Sequence, residues 1–420
     1  MSMSSVPRML GEIVRHGAIG TASRVAILAA VLLAAGSQAR GDGANIEVQS
    51  QFLAGDELRV VVETYRRWRP LFSHSSKVAD VKAYHVAVDL ASPAPLAERT
   101  RVVGPLWSVP NTRSAISFEA GPIFTQGDAA AAAATPTWAF DDDGVLVRFA
   151  RDPARPLLAR HALATKVDGA SWRPLGDTKP VADPLPPMSE DRVATRSGRH
   201  VLIFHDGKAR LFDQFTGEER DDPWLTRSFA AARSIKYLNN IGCHLTDDLN
   251  YLVVSPEEIW NDGRGHIHET FDYRGETHRR GAVGLAYRRG VEEPTLFKRP
   301  LPGADHFHGS DPYNAFSIGG DLYLLTATDH QLTLTAPASG RRYEVEAPPG
   351  KDFGVVRFRD ARHDPARGEV VLFGSDLEAN ITVVRWDYAK GRIRWDEVPM
   401  RPAFEQKGNQ LEPRSALPIR

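Results

Sequence analysis

Histidine placement is the first hint of chemistry in this chain. Six of the 14 histidines fall between His244 and His308, and four of these form two His-x-His pairs, His266/His268 and His306/His308. On a strand, residues i and i+2 face the same side. His266, His268, Thr270, Asp272 and Arg274 would then share one face, while Ile267, Phe271 and Tyr273 pack on the other. Two imidazoles, a carboxylate and a guanidinium in one stripe suit two kinds of chemistry. His-x-His is a workable pair of metal ligands, and His244, Asp305, His306 or His308 could complete the set. Alternatively, one imidazole titrates near neutrality and carries a proton as a general acid or base. A third reading is structural, with hydrogen-bonded histidines linking neighbouring sheets. No cofactor is expected; zinc or calcium are the ions such a set would take.

Other chemistries find less support. A glycoside hydrolase needs two carboxylates about 5–10 Å apart. Asp262, Asp272, Asp305 and Asp311 are available, but Asp is common in turns, and Asp141–Asp143 and Asp247-Asp248 fit turn chemistry. There is no P-loop, GxSxG or HExxH motif. With 52 Lys+Arg against 53 Asp+Glu, the net charge of −1 leaves no basic surface for nucleic acid. Local basic clusters, Arg66–Arg69 and His278–Arg280, could attract anionic glycans or simply be solvated.

The elements that must position these residues are strands. With 34 Gly, 29 Pro and 18 Phe, the chain shows short apolar or alternating runs between turn residues and little helical periodicity. Six strand–turn–strand units superimpose: Tyr84–Arg99, Val145–Arg160, Ala209–Glu219, Val283–Phe297, Gln331–Val345 and Ile381–Trp395. Their mean spacing is about 60 residues, and each interval holds an earlier strand pair, such as His200–Phe204 before Ala209. Four strands per unit predict an all-β fold, a β-propeller of six or seven four-stranded blades. Two packed β-sandwiches are the alternative. Asn45–Phe52 alternates and is expected to complete the last blade. Lys179–Pro187 reads as an inter-blade linker, and Arg401–Arg420 as a mobile tail.

The N-terminus carries an address. Val25–Ala35 is an eleven-residue apolar run preceded by Arg8, Arg15 and Arg24, with small residues at −3 and −1 of a cut after Ala39. This is signal-peptide anatomy, too short for the ~20 residues that span a bilayer. The expected organisation is a signal peptide over 1–39, one propeller domain over 40–400 and a tail over 401–420. The product would be a secreted or periplasmic monomer that does not contact membrane after cleavage. Cys243 is the single cysteine, so no internal disulfide forms.

Asp262–Arg274 (DGRGHIHETFDYR) followed by Gly284–Arg289 (GLAYRR) resembles a blade motif of secreted BNR-type propeller proteins. His268, Phe271, Arg274 and Tyr287 stand at its histidine, tryptophan, arginine and tyrosine positions. Asp141–Arg160 is similar to another such blade, with Val147 where the histidine would stand. The sialidase Asp-box is absent. Several members of this group are polysaccharide lyases of the ulvan lyase type, so the resemblance implies β-elimination on a uronic-acid polysaccharide. Arg274 would neutralise the carboxylate, His268 would take the C5 proton, and Tyr287 or Tyr273 would protonate the leaving oxygen. His266, Asp272, Arg279, His306 and His308 would bind substrate. The same ring could instead be a non-catalytic binder of carbohydrate or protein.

Overall fold

The computed structural model describes residues 43–68, 77–109, 113–114, 136–152, 157–166, 169–176, 179–180, 192–195, 199–205, 207–213, 215–234, 241–256, 260–261, 267–279, 282–298, 314–354, 356, 358–376 and 379–419. The expected signal peptide therefore lies outside the described residues. These residues form six antiparallel blades, each with four strands following one another in chain order. Blade 1 holds Gly43–Ala54, Glu57–Trp68, Lys77–Asp89 and Thr100–Val109; blade 2 holds Thr137–Phe140, Leu146–Asp152, Leu157–Lys166 and Gly169–Pro174. Blade 3 holds Arg192–Ala194, His200–His205, Lys208–Asp213 and Glu219–Asp221, and blade 4 holds Ile241–Leu245, Tyr251–Pro256, Val283–Arg288 and Thr295–Lys298. Blade 5 holds Asn314–Ile318, Asp321–Ala327, Gln331–Thr335 and Arg342–Glu346; blade 6 holds Phe358–Asp364, Glu369–Ser375, Asn380–Asp387 and Arg392–Pro399.

The side-chain period of two makes these blades a ring. Successive residues of a strand face opposite sides of its sheet, and here the two sides belong to different neighbours. In blade 1, Val60 and Val62 pack with Phe373 and Val383 of blade 6, while Val61 packs with Phe140 and Leu146 of blade 2. In blade 6, Val370 and Leu372 face blade 5, whereas Val371 and Phe373 face blade 1. Val147 and Phe149 of blade 2 meet Phe215 of blade 3, Leu252 of blade 4 shares a cluster with Leu211 of blade 3, and Val253 meets Leu324 of blade 5. Every blade is thus joined to two others, and the circle closes between blades 6 and 1. The first strands of blades 1 and 2, of blades 3 and 4, and of blades 5 and 6 touch one another, as strands lining a central axis would. Last strands such as Arg342–Glu346 are half-exposed and form the rim.

Polar latches run from blade to blade. Arg59 of blade 1 donates to Gly144 O of blade 2 at 2.7 Å, and Tyr251 of blade 4 donates to Gly320 O of blade 5 at 2.8 Å. Gly144 has φ +73°, and a Cβ there would lie 2.6 Å from Phe52, so this turn requires glycine. Asp141 caps the same turn, accepting from Val145 N at 2.7 Å. At the closure, buried Arg385 of blade 6 reaches Asp56 of blade 1 at 2.6 Å, and Arg394 reaches it at 3.2 Å.

Several expectations are corrected. Asn45–Phe52 does not complete the last blade; it pairs with Glu57–Trp68 as the first strand of blade 1. Arg401–Arg420 is not a loose tail. Phe404–Lys407 and Gln410–Pro413 form a hairpin against blade 1. Phe404 is buried against Tyr84, their ring centroids 5.6 Å apart, and Lys82 holds Glu412 at 2.9 Å. Leu417 and Ile419 then bridge in parallel to Val103 of blade 1 and Ala170 of blade 2. Buried apolar residues at spaced positions override the polar composition of this segment. Lys179-Pro180 extends a ladder with Leu157-Leu158 at a sheet edge, where proline is tolerated; 181–187 lie outside the described residues. The unit Val145–Arg160 spans the second and third strands of its blade, whereas the last four units span the third and fourth.

Candidate functional site

The hairpin that carries the sequence-predicted residues is an excursion between the second and third strands of blade 4. It is not one continuous strand. Ile267-His268 pairs with Trp260-Asn261, the ladder breaks at Glu269, and Thr270–Tyr273 pairs with Glu276–Arg279. In the second ladder the alternation holds: Phe271 is buried, and Thr270 and Asp272 are exposed. Asp272 accepts from the Thr277 hydroxyl at 2.7 Å. Arg274 and Gly275 make the tip with φ of +52° and +80°, the signature of a tight hairpin turn. Arg274 is exposed and pairs with Glu293, a hydrogen bond that holds its pKa above the ordinary value. Its guanidinium also sits 5.3 Å from the Tyr273 ring.

Tyr287 lies inside the apolar cluster formed with Phe271 and Leu252, 4% exposed. Arg279 is exposed at the hairpin's end, opposite Thr270. The structure thus brings Tyr273 and Arg274 together, turns Asp272 to the other face of the hairpin, and places Tyr287 in the core cluster on which Tyr273 packs. His268 is described by its backbone, opposite Trp260; His266, Asp305, His306 and His308 lie outside the described residues. Among the described residues no three His, Cys, Asp or Glu side chains converge as metal ligands would.

A different constellation stands on blade 2. Trp138, Arg148 and His161 are directly opposite one another on its first three strands, and Trp172 is diagonal to His161 on the fourth. Strand alternation turns all four toward blade 1, beside Leu146 and Leu163. The indoles of Trp138 and Trp172 stack at 6.0 Å, and the Arg148 guanidinium lies 4.6 Å from the Trp172 ring centre. A ring face fixes a guanidinium's plane without consuming its N–H donors.

These donors are not consumed elsewhere. Arg148 Nε, His161 Nδ1 and the Nε1 atoms of Trp138 and Trp172 are shut off from solvent, with no hydrogen-bond partner among the described residues. Three of the four are obligate donors. Burial alone lowers the Arg148 pKa, with no carboxylate among the described residues opposing it. The His161 pKa is also lowered, first by burial and then by the Arg148 charge, so the ring is neutral at neutral pH. Arg148, His161 and Trp172 remain half-exposed, so the row opens to solvent. Chemically it is a donor-rich, cationic, aromatic row. The blade that has Val147 at the resemblance's histidine position carries His161 on the adjacent strand.

A third group lies between blades 5 and 6. His363 Nε2 is 3.3 Å from Tyr388 Oη, and Tyr388 packs on Tyr343 at 5.2 Å. Tyr343 packs on Tyr323, whose hydroxyl Arg341 engages. Burial lowers the His363 pKa and raises those of Tyr388 and Tyr343.

No protein-family model and no curated protein matches this sequence. Among solved structures, the chain is similar to TolB from Acinetobacter baumannii, at 11% identity over 80% of this chain and 68% of that one, TM-score 0.30. The propeller domain of the Trilobed protease from Pyrococcus furiosus gives 11% identity over 84% and 97%, TM-score 0.31. A puromycin-hydrolyzing peptidase of Mycobacterium tuberculosis gives 14% identity over 85% and 54%, TM-score 0.31. The assignment of the molecule rests on its own sheet order, and that order makes it a six-bladed β-propeller.

Proposed function

We propose that the protein binds an acidic saccharide, seating a uronate-type carboxylate against Arg148 with His161 and the indoles of Trp138 and Trp172 around it. One observation carries this reading: a half-buried guanidinium, fixed on an indole face, has no carboxylate partner among the described residues. Desolvating a cation is unfavourable unless an anion or strong acceptors replace water. A planar carboxylate fits the guanidinium fork, and the half-exposed Trp172 and His161 rings flank it.

The test is titration calorimetry with polyuronate and with a neutral polymer of equal length. Arg148→Ala should weaken polyuronate binding about tenfold or more, as expected for hydrogen bonds to a charged group. Arg148→Lys should recover only part of the loss, because it restores charge without the fork. Binding should strengthen as pH falls below the ordinary histidine range, since His161 then gains charge, until the carboxylate itself is protonated. Equal affinity for both polymers, or an unaltered Arg148→Ala variant, would refute the reading.

β-Elimination is the second reading, and the His363–Tyr388 contact favours it. A neutral imidazole within hydrogen-bond reach of a phenol is a base and acid of the kind that reaction uses. Ultraviolet absorbance from an unsaturated uronate would reveal turnover. His363→Ala and Tyr388→Phe should then abolish it, whereas loss in His268→Ala alone would move the chemistry to the blade 4 hairpin.

A further inference from the structure

On the opposite face of blade 2 an open cleft of about 520 Å³ lies against blade 3, lined by Arg160, Arg173, Pro174, Leu175, Phe215 and Thr216. Ligand sites commonly occupy about 300–1,000 Å³. The cleft is built around Arg160, which is 5% exposed and donates to Phe215 O at 3.1 Å and to Leu175 O at 3.2 Å. One buried cation thereby ties the blade 2 wall to the blade 3 wall and charges the floor. Asp213, the carboxylate whose charge acts on Arg160, is already engaged. It accepts from Phe215 N at 2.9 Å, Thr216 N at 3.0 Å and Arg199 Nε at 3.1 Å. Arg199 in turn pairs with Asp142. At the rim, Arg173 is exposed and has no hydrogen-bond or ion-pair partner among the described residues. The Thr216 hydroxyl accepts from Glu218 N at 3.2 Å and keeps its own proton to donate.

The cleft and the Arg148 row share one strand. Trp172 and Arg173 are consecutive on Gly169–Pro174, the last strand of blade 2, so their side chains leave opposite faces of the same rim. We infer that a polymeric acid crosses the outer edge of blade 2, with one carboxylate at Arg148 and a later one in the cleft at Arg173. Pro174, Leu175 and Phe215 offer apolar walls to the C–H faces of the intervening sugar, and Arg160 supplies a fixed positive floor. This inference rests on the acidic-saccharide reading and adds a second subsite with a direction of travel, from the blade 1 side to the blade 3 side.

The experiment is a length series of oligouronates, from the monomer upward, titrated against wild type, Arg148→Ala and Arg173→Ala. Wild-type affinity should rise with length by about tenfold once both subsites are spanned. Arg173→Ala should remove most of that rise. Arg148→Ala should weaken short and long oligomers together and leave their ratio standing. A wild-type affinity that does not grow with length, or an Arg173→Ala variant with the wild-type length dependence, would overturn the second subsite while leaving the first intact. Failure of every oligomer to bind wild type would remove the acidic-saccharide reading itself. Circular dichroism of both variants separates lost contacts from lost folding, since Arg173 is on the surface and Arg160 is untouched.

Discussion

His85 shows what a single buried group does to this molecule. It sits at the interface of blades 1 and 2, near Phe140, with neither ring nitrogen bonded among the described residues. Burial, aided by the charges of Arg101 and Arg59, lowers its pKa from 6.5 to about 3. The unfolded chain therefore binds a proton that the fold rejects. Stability is fully present above pH 6.5 and declines as pH falls toward 3, by about 1.4 kcal/mol per unit. His85→Leu should flatten this slope, read as urea midpoints between pH 7 and 4; a slope identical to wild type would exclude His85 as its source. The Arg148 row illustrates why such groups were illegible in the sequence. Trp138, Arg148, His161 and Trp172 fall in four separate runs, and only the registers of three hairpins align them. The His-x-His pairs were visible because their spacing is local.

Strands were legible for the same local reason. Alternation and turn residues lie within a few positions, so blade strands such as Asp321–Ala327 and Glu369–Ser375 could be recognised before their partners were known. Partners at the chain ends were not legible, because Lys82 meets Glu412 across 330 positions and no local pattern announces it. The C-terminal strap has a testable energetic role. It buries Phe404 and Leu411 in the blade 6–blade 1 cluster, and each such side chain contributes about 1.5–3 kcal/mol. Truncation after Met400 should lower the thermal midpoint. It should also expose the amides of Gly104 and Ala170, which donate to Leu417 O and Pro418 O. Hydrogen exchange at these two amides reads the strap directly, and unchanged protection would show that it carries no load.

For the whole molecule, the junction of blades 6 and 1 is where the circle must be held. Asp56 is bound by Arg385 and Arg394, and the Arg385 hydrogen bond leads the effects that lower its pKa. A lowered carboxyl pKa contributes stability above the unfolded value near 3.8 and loses it as pH falls through the folded value. Because the Asp56 side chain is 41% exposed, solvent screens the pair and about 1 kcal/mol or less is expected. Asp56→Asn should be less stable than wild type at neutral pH and should converge with it in acid. A gap that does not narrow as pH falls below 3.8 would assign the effect to something other than this ion pair.

The double duty of each strand sets how such a chain can change. Adding one residue inside Glu57–Trp68 would send Val60, Val61 and Val62 to the wrong neighbours on both sides simultaneously. Length variation should therefore be confined to the loops, and tolerated changes within a sheet should come in pairs of residues or as whole duplicated blades.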